Sequence, residues 1–256
     1  MLPLLPLLPL PMRHLLLLCC LPLLLLTTGC RPSPTPESET ADAPSANDPI
    51  DDAVAKNDAE AVLYYAQQNP RGIAWRDEAE NTLVHRTVES PAILRAILPL
   101  KPDLAARNIA GYQALHFAVK LGNLESIRLL LEAGARVQAR VGINAEDQAQ
   151  GECTLMHVAW IEDAAAATAV ADLIHGLDPD QLNIRGPDGF TPLMYAIDQG
   201  NLAFARWLLA KGADRTLLND GQQDALAFAR WRIEDNKSQG LPITKDDQTI
   251  LELLAQ

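Results

Sequence analysis

The segment Tyr112-Gln-Ala-Leu-His-Phe-Ala118 decides the fold, because shorter versions of it recur along the chain. Similarity at a regular internal period is the sequence signature of repeat architectures. The second residues of these versions stand at positions 82, 113, 154, 191 and 224, which are separated by 31, 41, 37 and 33 residues. The versions are Asn81-Thr-Leu-Val-His85, Tyr112-Gln-Ala-Leu-His116, Cys153-Thr-Leu-Met-His157, Phe190-Thr-Pro-Leu-Met194 and, more weakly, Gln223-Asp-Ala-Leu-Ala227.

Each version opens a segment that predicts two helices joined by a tight turn. The segment before Asn81 is counted as a degenerate first unit, so the unit that starts at Tyr112 is the third. In this unit, Leu115 and Val119 recur on one face at helical spacing. The Gly122-Asn123 pair tolerates left-handed backbone and so ends this helix, and a leucine-rich second helix is expected from Leu124. The turn and the second helix recur as Gly122-Asn-Leu before Leu129-Leu-Leu-Glu-Ala-Gly-Ala135 and as Gly200-Asn-Leu before Leu208-Leu-Ala-Lys-Gly-Ala-Asp214.

These units resemble the ankyrin repeat, whose signature is Thr-Pro-Leu-His-x-Ala, followed by a Gly-led turn and a leucine-rich helix that ends in Gly-Ala. Thr191-Pro192-Leu193 and the segment Gln113–Ala118 carry the clearest resemblance. It implies an all-α solenoid of stacked helix–turn–helix units with β-turn or hairpin tips. Residues 50–256 accommodate about six units of 33 residues, including degenerate caps at both ends.

The spacing of the units predicts two insertions in the fourth. The steps of 41 and 37 residues exceed the usual period. Val141–Gly151 is polar and rich in turn residues, so it is expected to lengthen the turn that enters the unit. The alanine-rich run Glu162–Ala169 is expected to extend a helix of the same unit.

The N-terminal segment is predicted to be a secretory signal of residues 1–29. From Met12, the hypothesised true start, a short basic beginning is followed by the apolar core Leu15–Leu26 and then by small residues. The core is too short to span a bilayer, which needs about 20 apolar residues. The junction Leu26-Thr-Thr-Gly-Cys30 resembles a bacterial lipobox, which implies lipid modification of Cys30; an ordinary signal or an uncleaved anchor is the alternative.

The segment after Cys30 is predicted to be a tether. Residues 30–49 are rich in proline and acidic side chains and contain too little apolar surface to fold. In the lipoproteins that the junction resembles, an aspartate directly after the cysteine favours retention at the inner membrane, whereas this chain has Arg31. The resemblance therefore implies a lipid anchor at the periplasmic face of the outer membrane.

The charge balance bears on the class of partner. The chain has 33 acidic and 21 basic residues and a formal net charge of −12. Such a chain repels nucleic acid phosphates, so a nucleic acid partner is not expected. The same field would steer a protein partner with a basic patch towards the chain. A monomer is expected.

Catalytic and metal-binding chemistry finds no support in the sequence. His85, His116 and His157 occupy the same repeat slot, and the ankyrin resemblance implies that this side chain holds a turn by bonding to backbone. Stacked helices lie about 8–10 Å apart, so these histidines cannot share a metal ion at about 2.0–2.1 Å. Cys153 has no predicted disulfide partner or general base and is interpreted as a turn residue. We expect no cofactor, no metal and no enzymatic activity.

The resemblance implies a protein-binding groove formed by the turn tips and first helices. The residues directly before positions 82, 113, 154, 191 and 224 are Asn81, Tyr112, Cys153, Phe190 and Gln223. The residues seven after the same five positions, further along the first helices, are Glu89, Lys120, Ile161, Asp198 and Trp231. The candidates for partner contact are Asn81, Tyr112, Phe190, Gln223, Lys120, Asp198 and Trp231, among which Tyr112 and Phe190 are expected to be exposed anchors.

The sequence thus predicts a membrane-tethered periplasmic module that binds a partner protein through its concave groove. One alternative is an immunity or inhibitor protein that neutralises a toxin acting in the periplasm. Another is a scaffold that supports an envelope or oxidative-stress enzyme.

Overall fold

The computed structural model describes residues 49–68, 72–142 and 150–255. The predicted signal peptide, Cys30, the tether up to residue 48 and most of the 141–151 insertion lie outside the described residues. Among the described helices, none is both long and apolar enough to cross a bilayer. The described chain forms six consecutive helix pairs: α1 (Pro49–Ala55) and α2 (Ala59–Gln68); α3 (Leu83–Arg86) and α4 (Pro91–Ile97); α5 (Ala114–Lys120) and α6 (Leu124–Glu132); the 3-10 helix Thr154–Trp160 and α7 (Ala164–Leu177); α8 (Pro192–Gln199) and α9 (Leu202–Ala210); and α10 (Ala225–Ser238) and α11 (Lys245–Leu254).

The helices stack in two layers, which confirms the predicted all-α solenoid. From α3 onwards, each first helix packs against the first helix of the next unit, and the second helices from α2 to α11 do the same. Leu115, Leu155 and Leu193 stand two residues after the N-cap in successive units and are fully buried. Since neither layer could bury its apolar face alone, stacking of neighbouring units creates one continuous core. Two isolated antiparallel bridges, but no strand, occur within the described ranges.

The fourth unit begins one residue earlier than the sequence predicts. Its N-cap is Cys153, and the Met156 sulfur accepts the Cys153 N–H at 3.4 Å. Thr154, which the repeat alignment matches with the N-caps of the other units, instead donates its hydroxyl to the carbonyl of Val137 at 2.8 Å. The N-caps are Thr82, Gln113, Cys153, Thr191 and Asp224.

The turn between the two helices of a unit is held by the Gly-Asn pair, as predicted. Gly122 and Gly200 both have φ +67°, a left-handed conformation that glycine adopts without steric cost. Asn201 caps α9 by accepting the Phe204 N–H at 3.0 Å, and its amide donates to the carbonyl of Ile161 at 2.8 Å. One side chain therefore starts its own helix and ties it to the preceding unit.

Arginines join the turn tips of neighbouring units. Arg76 donates to the carbonyl of Arg107 at 3.1 Å, Arg107 to that of Arg140 at 2.7 Å, and Arg140 to that of Arg185 at 2.6 Å. Each arginine also donates to a carbonyl of its own tip, such as that of Gly111 at 2.7 Å. We call this series of arginines the arginine ladder. It gives the backbone carbonyls of the tips the hydrogen-bond donors that a β-sheet would otherwise provide.

The fourth unit also contains the longest of the described second helices. Helix α7 has 14 residues, whereas α6 and α9 have 9 each. The Asp163 carboxylate caps it by accepting the Ala166 N–H at 2.7 Å. The expectation that the alanine-rich run Glu162–Ala169 lengthens a helix of this unit is confirmed.

Candidate functional site

One face of the first-helix layer carries the side chains that sequence reasoning assigned to partner contact. Residues four and seven after an N-cap share a side of a helix because of its 3.6-residue turn. The residue before the N-cap contacts the first of them, as in the ring pairs Tyr112–Phe117 and Phe190–Tyr195. We call this surface the first-helix face. From the second unit to the sixth, its three positions hold Asn81, Arg86, Glu89; Tyr112, Phe117, Lys120; Glu152, His157, Trp160; Phe190, Tyr195, Asp198; and Gln223, Phe228, Trp231.

Aromatic rings on this face form a continuous row across four units. The consecutive ring pairs are Tyr112–His157 at 5.5 Å, His157–Trp160 at 5.8 Å, Trp160–Tyr195 at 5.6 Å, Tyr195–Phe190 at 5.9 Å, Phe190–Phe228 at 4.8 Å and Phe228–Trp231 at 5.7 Å. These centroid distances are typical of favourable aromatic contacts. Half-buried rings alternate with buried ones, so the row is anchored in the core and still presents apolar edges at the surface.

The expectation that Tyr112 and Phe190 are exposed is wrong, since both side chains are half-buried. The hydroxyl of Tyr112 is drawn inward because it donates to Glu152. The ring of Phe190 packs edge-on against that of Phe228. Both residues lie in the aromatic row, but each also stabilises the stack. Their predicted role in partner contact stays a prediction.

A buried carboxylate joins two tyrosines of the row. Glu152 accepts the hydroxyl of Tyr112 at 3.1 Å on one oxygen and that of Tyr195 at 3.0 Å on the other. Burial, followed by the charge of Glu152, raises the pKa of both tyrosine hydroxyls. Both hydroxyls therefore stay protonated and remain donors over the whole physiological pH range.

His85 and His116 hold turns as the family resemblance implies. The Nδ1 atom of His116 accepts the Gln113 N–H at 3.0 Å, and Nε2 lies 3.1 Å from the carbonyl of Ala139 in the following tip. His85 repeats this arrangement, with Nε2 at 3.0 Å from the carbonyl of Tyr112. Since Nδ1 accepts, Nε2 carries the proton and donates.

His157 does not play this role, which corrects the expectation for the third histidine. The one-residue shift of the fourth unit gives the turn-holding slot to Met156 and moves His157 into the aromatic row. Neither ring nitrogen of His157 has a hydrogen-bond partner in the described chain, and Nδ1 lies 3.6 Å from a Glu152 oxygen. Burial, then the neighbouring His116 and Lys120, lowers the pKa of His157 well below its usual value.

Lys120 lies over the row between the third and fourth units. Its Nζ is 4.4 Å from the ring centroid of Trp160 and 5.2 Å from that of Tyr112. These distances are those of cation–π interactions. The structure therefore brings together two predicted contact residues, Lys120 and Tyr112, around a tryptophan that sequence reasoning missed.

The remaining predicted residues lie towards the ends of the face. Asn81 donates to Asp77 at 3.0 Å and accepts from Asn108 at 2.9 Å, so its amide serves the turn tips. Gln223 accepts from Asn219 at 3.2 Å within its own tip. Asp198 lies 4.0 Å from the Nε of Arg232, and Trp231 ends the aromatic row.

Sequence reasoning missed Glu152 and Trp160 because it placed the fourth unit one residue too late. It assigned Cys153 and Ile161 to the two contact slots, and both are buried. No local signal could have found the correct pair, because the N-cap of the fourth unit depends on the contact of Thr154 with Val137. An open cavity of about 750 Å³ adjoins the face between α1 and α5, with Val54, Glu89 and Leu121 among its lining residues.

The candidates for metal and thiol chemistry among the described residues are the His, Cys, Asp and Glu side chains. No group of three or more His, Cys, Asp or Glu side chains there is arranged to hold an ion. Cys153 is a buried free thiol, and burial raises its pKa to about 12. A thiol that stays protonated is a poor nucleophile.

Two family models match the chain, and both describe ankyrin repeats. Residues 139–220 match a model of three ankyrin repeat copies, and residues 110–141 match that of a single ankyrin repeat. The ankyrin repeat family therefore accounts for residues 110–220 of the chain. Ankyrin repeats are protein–protein interaction modules, so the first-helix face lies on a scaffold of that class.

Curated relatives share the ankyrin region. The B-cell lymphoma 3 protein homolog of Mus musculus is 33% identical over 162 residues, which cover 61% of this chain and 34% of that protein. Protein PhlB of Serratia liquefaciens is 33% identical over 90 residues, covering 34% of this chain and 39% of that protein. The chain thus spans about a third of the length of the curated relatives it matches.

A solved structure shares the ankyrin fold over most of the chain. It is a chain from the complex of a predatory endopeptidase with an immunity protein of Bdellovibrio bacteriovorus. The superposition has a TM-score of 0.61 at 24% sequence identity and covers 76% of this chain and 97% of that one. At this identity the likeness shows the fold alone.

Proposed function

We propose that this ankyrin stack holds one partner protein against its first-helix face while a lipid at Cys30 tethers it in the periplasm. The observation that carries the binding part is the aromatic row, in which Tyr112, Trp160, Phe190 and Trp231 are half-buried. Tyrosine and tryptophan are the side chains that contribute most to protein interfaces, and fixing them beforehand reduces the entropic cost of binding.

The tether and location rest on the N-terminal sequence. In this proposal residues 1–29 are removed, Cys30 is acylated and residues 30–49 link the lipid to the ankyrin domain of residues 50–256. The junction Leu26-Thr-Thr-Gly-Cys30, with Arg31 after it, supports the periplasmic face of the outer membrane. The protein acts there as a monomer that presents its face to soluble or membrane-bound partners.

A second candidate function is immunity against a toxin or hydrolase that acts in the periplasm. It is favoured by the shared fold with a chain from the complex of an endopeptidase and an immunity protein. A rigid stack that covers the active site of one dedicated enzyme would suffice as an inhibitor. This role needs no catalytic residue.

Chemical crosslinking in the native envelope tests both functions. Tagged full-length protein is crosslinked, purified and compared with Cys30→Ala, which removes the acylation site. One stoichiometric protein captured by the wild type, and captured less from the Cys30→Ala strain, supports a tethered binding module. If that protein is a hydrolase that the purified chain inhibits, the immunity role is supported, whereas capture of no stoichiometric partner contradicts the proposal.

A further inference from the structure

Lys120 carries a positive charge that is half removed from water at the centre of the first-helix face. Its Nζ lies between the rings of Trp160 and Tyr112, at 4.4 and 5.2 Å from their centroids. Among the described residues no carboxylate comes within ion-pair distance of this Nζ. Burial lowers the pKa of Lys120, and the nearby Glu152 carboxylate opposes that shift.

Glu152 does not neutralise Lys120 by direct contact. Each of its oxygens already accepts a tyrosine hydroxyl, at 3.1 Å from Tyr112 and 3.0 Å from Tyr195. The carboxylate is buried, and the ammonium lies over the rings of Trp160 and Tyr112. The three N–H donors of Lys120 therefore remain for groups that come from outside the described chain.

Lys211 provides an internal comparison. Its Nζ lies 5.3 Å from the ring centroid of Trp207, so it also makes a cation–π interaction. Unlike Lys120, it is paired with Asp172 at 3.0 Å. Both ammonium groups have an aromatic neighbour, but only one of these two has an acid from the chain itself. The two lysine sites are otherwise similar, and they differ in that Lys211 has an acidic partner whereas Lys120 has none among the described residues.

A protein that covers the first-helix face would remove the remaining water from Lys120. Burial of an ammonium group without a counter-charge is strongly unfavourable, whereas a hydrogen-bonded carboxylate compensates it. We infer that the partner places the carboxylate of an aspartate or glutamate on Lys120, between the rings of Tyr112 and Trp160. This inference rests on the proposed function, because it specifies the anchor group of the same partner.

The local preference for an acid is compatible with the net charge of the chain. The value of −12 favours partners whose overall surface is basic, since long-range steering depends on summed charge. A single carboxylate at the centre of the interface fixes the register in which such a partner docks. Close charge pairs of this kind determine specificity more than rate of association.

The first test is a lysine-detected NMR titration of the full chain with N-acetylglutamate methylamide, whose only charged group is the side-chain carboxylate. N-acetylglutamine methylamide, which has the same shape without the charge, is the matched ligand, and Lys211 is the matched residue. We expect a saturable shift of the Lys120 side-chain signals with the acid and none with the amide. An equal response of Lys120 and Lys211, or of acid and amide, overturns the inference.

The second test uses the protein captured by crosslinking. Lys120→Gln is expected to raise its dissociation constant about tenfold or more, and Lys211→Gln to change it by less than about twofold. Thermal unfolding of both variants verifies that the stack is folded. Failure of the wild type to capture a partner contradicts the proposed function, whereas equal dissociation constants for the two variants overturn the Lys120 inference alone.

Discussion

The guanidinium of Arg107 donates a hydrogen bond of 2.7 Å to the backbone carbonyl of Arg140, which belongs to the next unit. The same nitrogen donates to the carbonyl of Gly111 in its own tip, also at 2.7 Å. The tips of neighbouring units are thereby joined by side chains of one residue type at one repeat position. The arginine ladder fixes the spacing of the tips, which in turn fixes the spacing of the first-helix face.

Substitution of Arg107 by alanine should lower the free energy of unfolding by about 2–3 kcal/mol, because two carbonyls lose a charged donor. Arg95→Ala is the control, since Arg95 pairs with Glu125 at an exposed position. Exposed pairs contribute about 0–1 kcal/mol. Urea denaturation of the three proteins measures the difference, and equal losses for the two variants would show that the ladder does not stabilise the stack.

Gly111→Ala should destabilise the protein more than Gly212→Ala. Both glycines have positive φ, +80° and +88°, so both variants have a similar backbone strain of about 1–2 kcal/mol. A Cβ at Gly111 would lie 2.6 Å from the Gly142 nitrogen, whereas none of the described atoms lies within 4 Å of a Cβ at Gly212. The difference between the stability losses of the two variants therefore measures the close approach of the tips that contain Gly111 and Gly142. Indistinguishable melting temperatures would contradict this contact.

Tyr112→Phe should reduce stability by about 1–2 kcal/mol, because one oxygen of the buried Glu152 loses its donor. Tyr64→Phe removes the hydroxyl of a tyrosine that is 58% exposed and should change stability by less than about 0.5 kcal/mol. Guanidinium denaturation distinguishes the two variants. An unchanged stability of Tyr112→Phe would mean that the Glu152 carboxylate does not depend on this hydroxyl.

His157→Phe should leave the protein at least as stable as the wild type at pH 7. The phenyl ring replaces an imidazole whose two buried nitrogens lack hydrogen-bond partners among the described residues. Phenylalanine or tyrosine already occupies the same slot in three neighbouring units, as Phe117, Tyr195 and Phe228. His116→Phe is the control and should lose about 2–3 kcal/mol, since His116 bonds to backbone on both sides. The opposite order of stabilities would contradict the assignment of the two histidines.

His157→Phe should also alter the dependence of the free energy of unfolding on pH. Burial lowers the pKa of His85, His116 and His157, and that of His116 to about 4. Below about pH 6.5 the unfolded forms of His116 and His157 bind protons that the folded forms do not, so stability falls with decreasing pH by up to about 1.4 kcal/mol per pH unit for each. His157→Phe should reduce this slope between pH 6.5 and 5 by about one proton. An unchanged slope would show that His157 titrates normally.

The sequence was sufficient to predict the fold because the helix pairs repeat a local pattern. The Gly-Asn turns and the leucine-rich second helices follow from residues that are close in sequence, and they appear where predicted. The register of the fourth unit could not be read from the local pattern. Cys153 and Thr154 both precede Leu155, and the choice between them depends on the carbonyl of Val137, 17 residues away.

The candidate site was predicted only in part, for the same physical reason. Tyr112, Lys120, Phe190 and Trp231 were identified from their repeat positions. Glu152 and Trp160 depended on the register of the fourth unit. The inward turn of Tyr112 depended on an acid 40 residues further along the chain, a contact that no local pattern contains.

Site-specific photocrosslinking in the native envelope tests most directly whether the first-helix face binds a partner. A photoreactive phenylalanine replaces Trp231, at the end of the aromatic row, or Leu177, which is 49% exposed on α7. Binding through the first-helix face predicts a single stoichiometric protein adduct from position 231 and none from position 177. An adduct from position 177 alone, or no adduct from position 231, would contradict it.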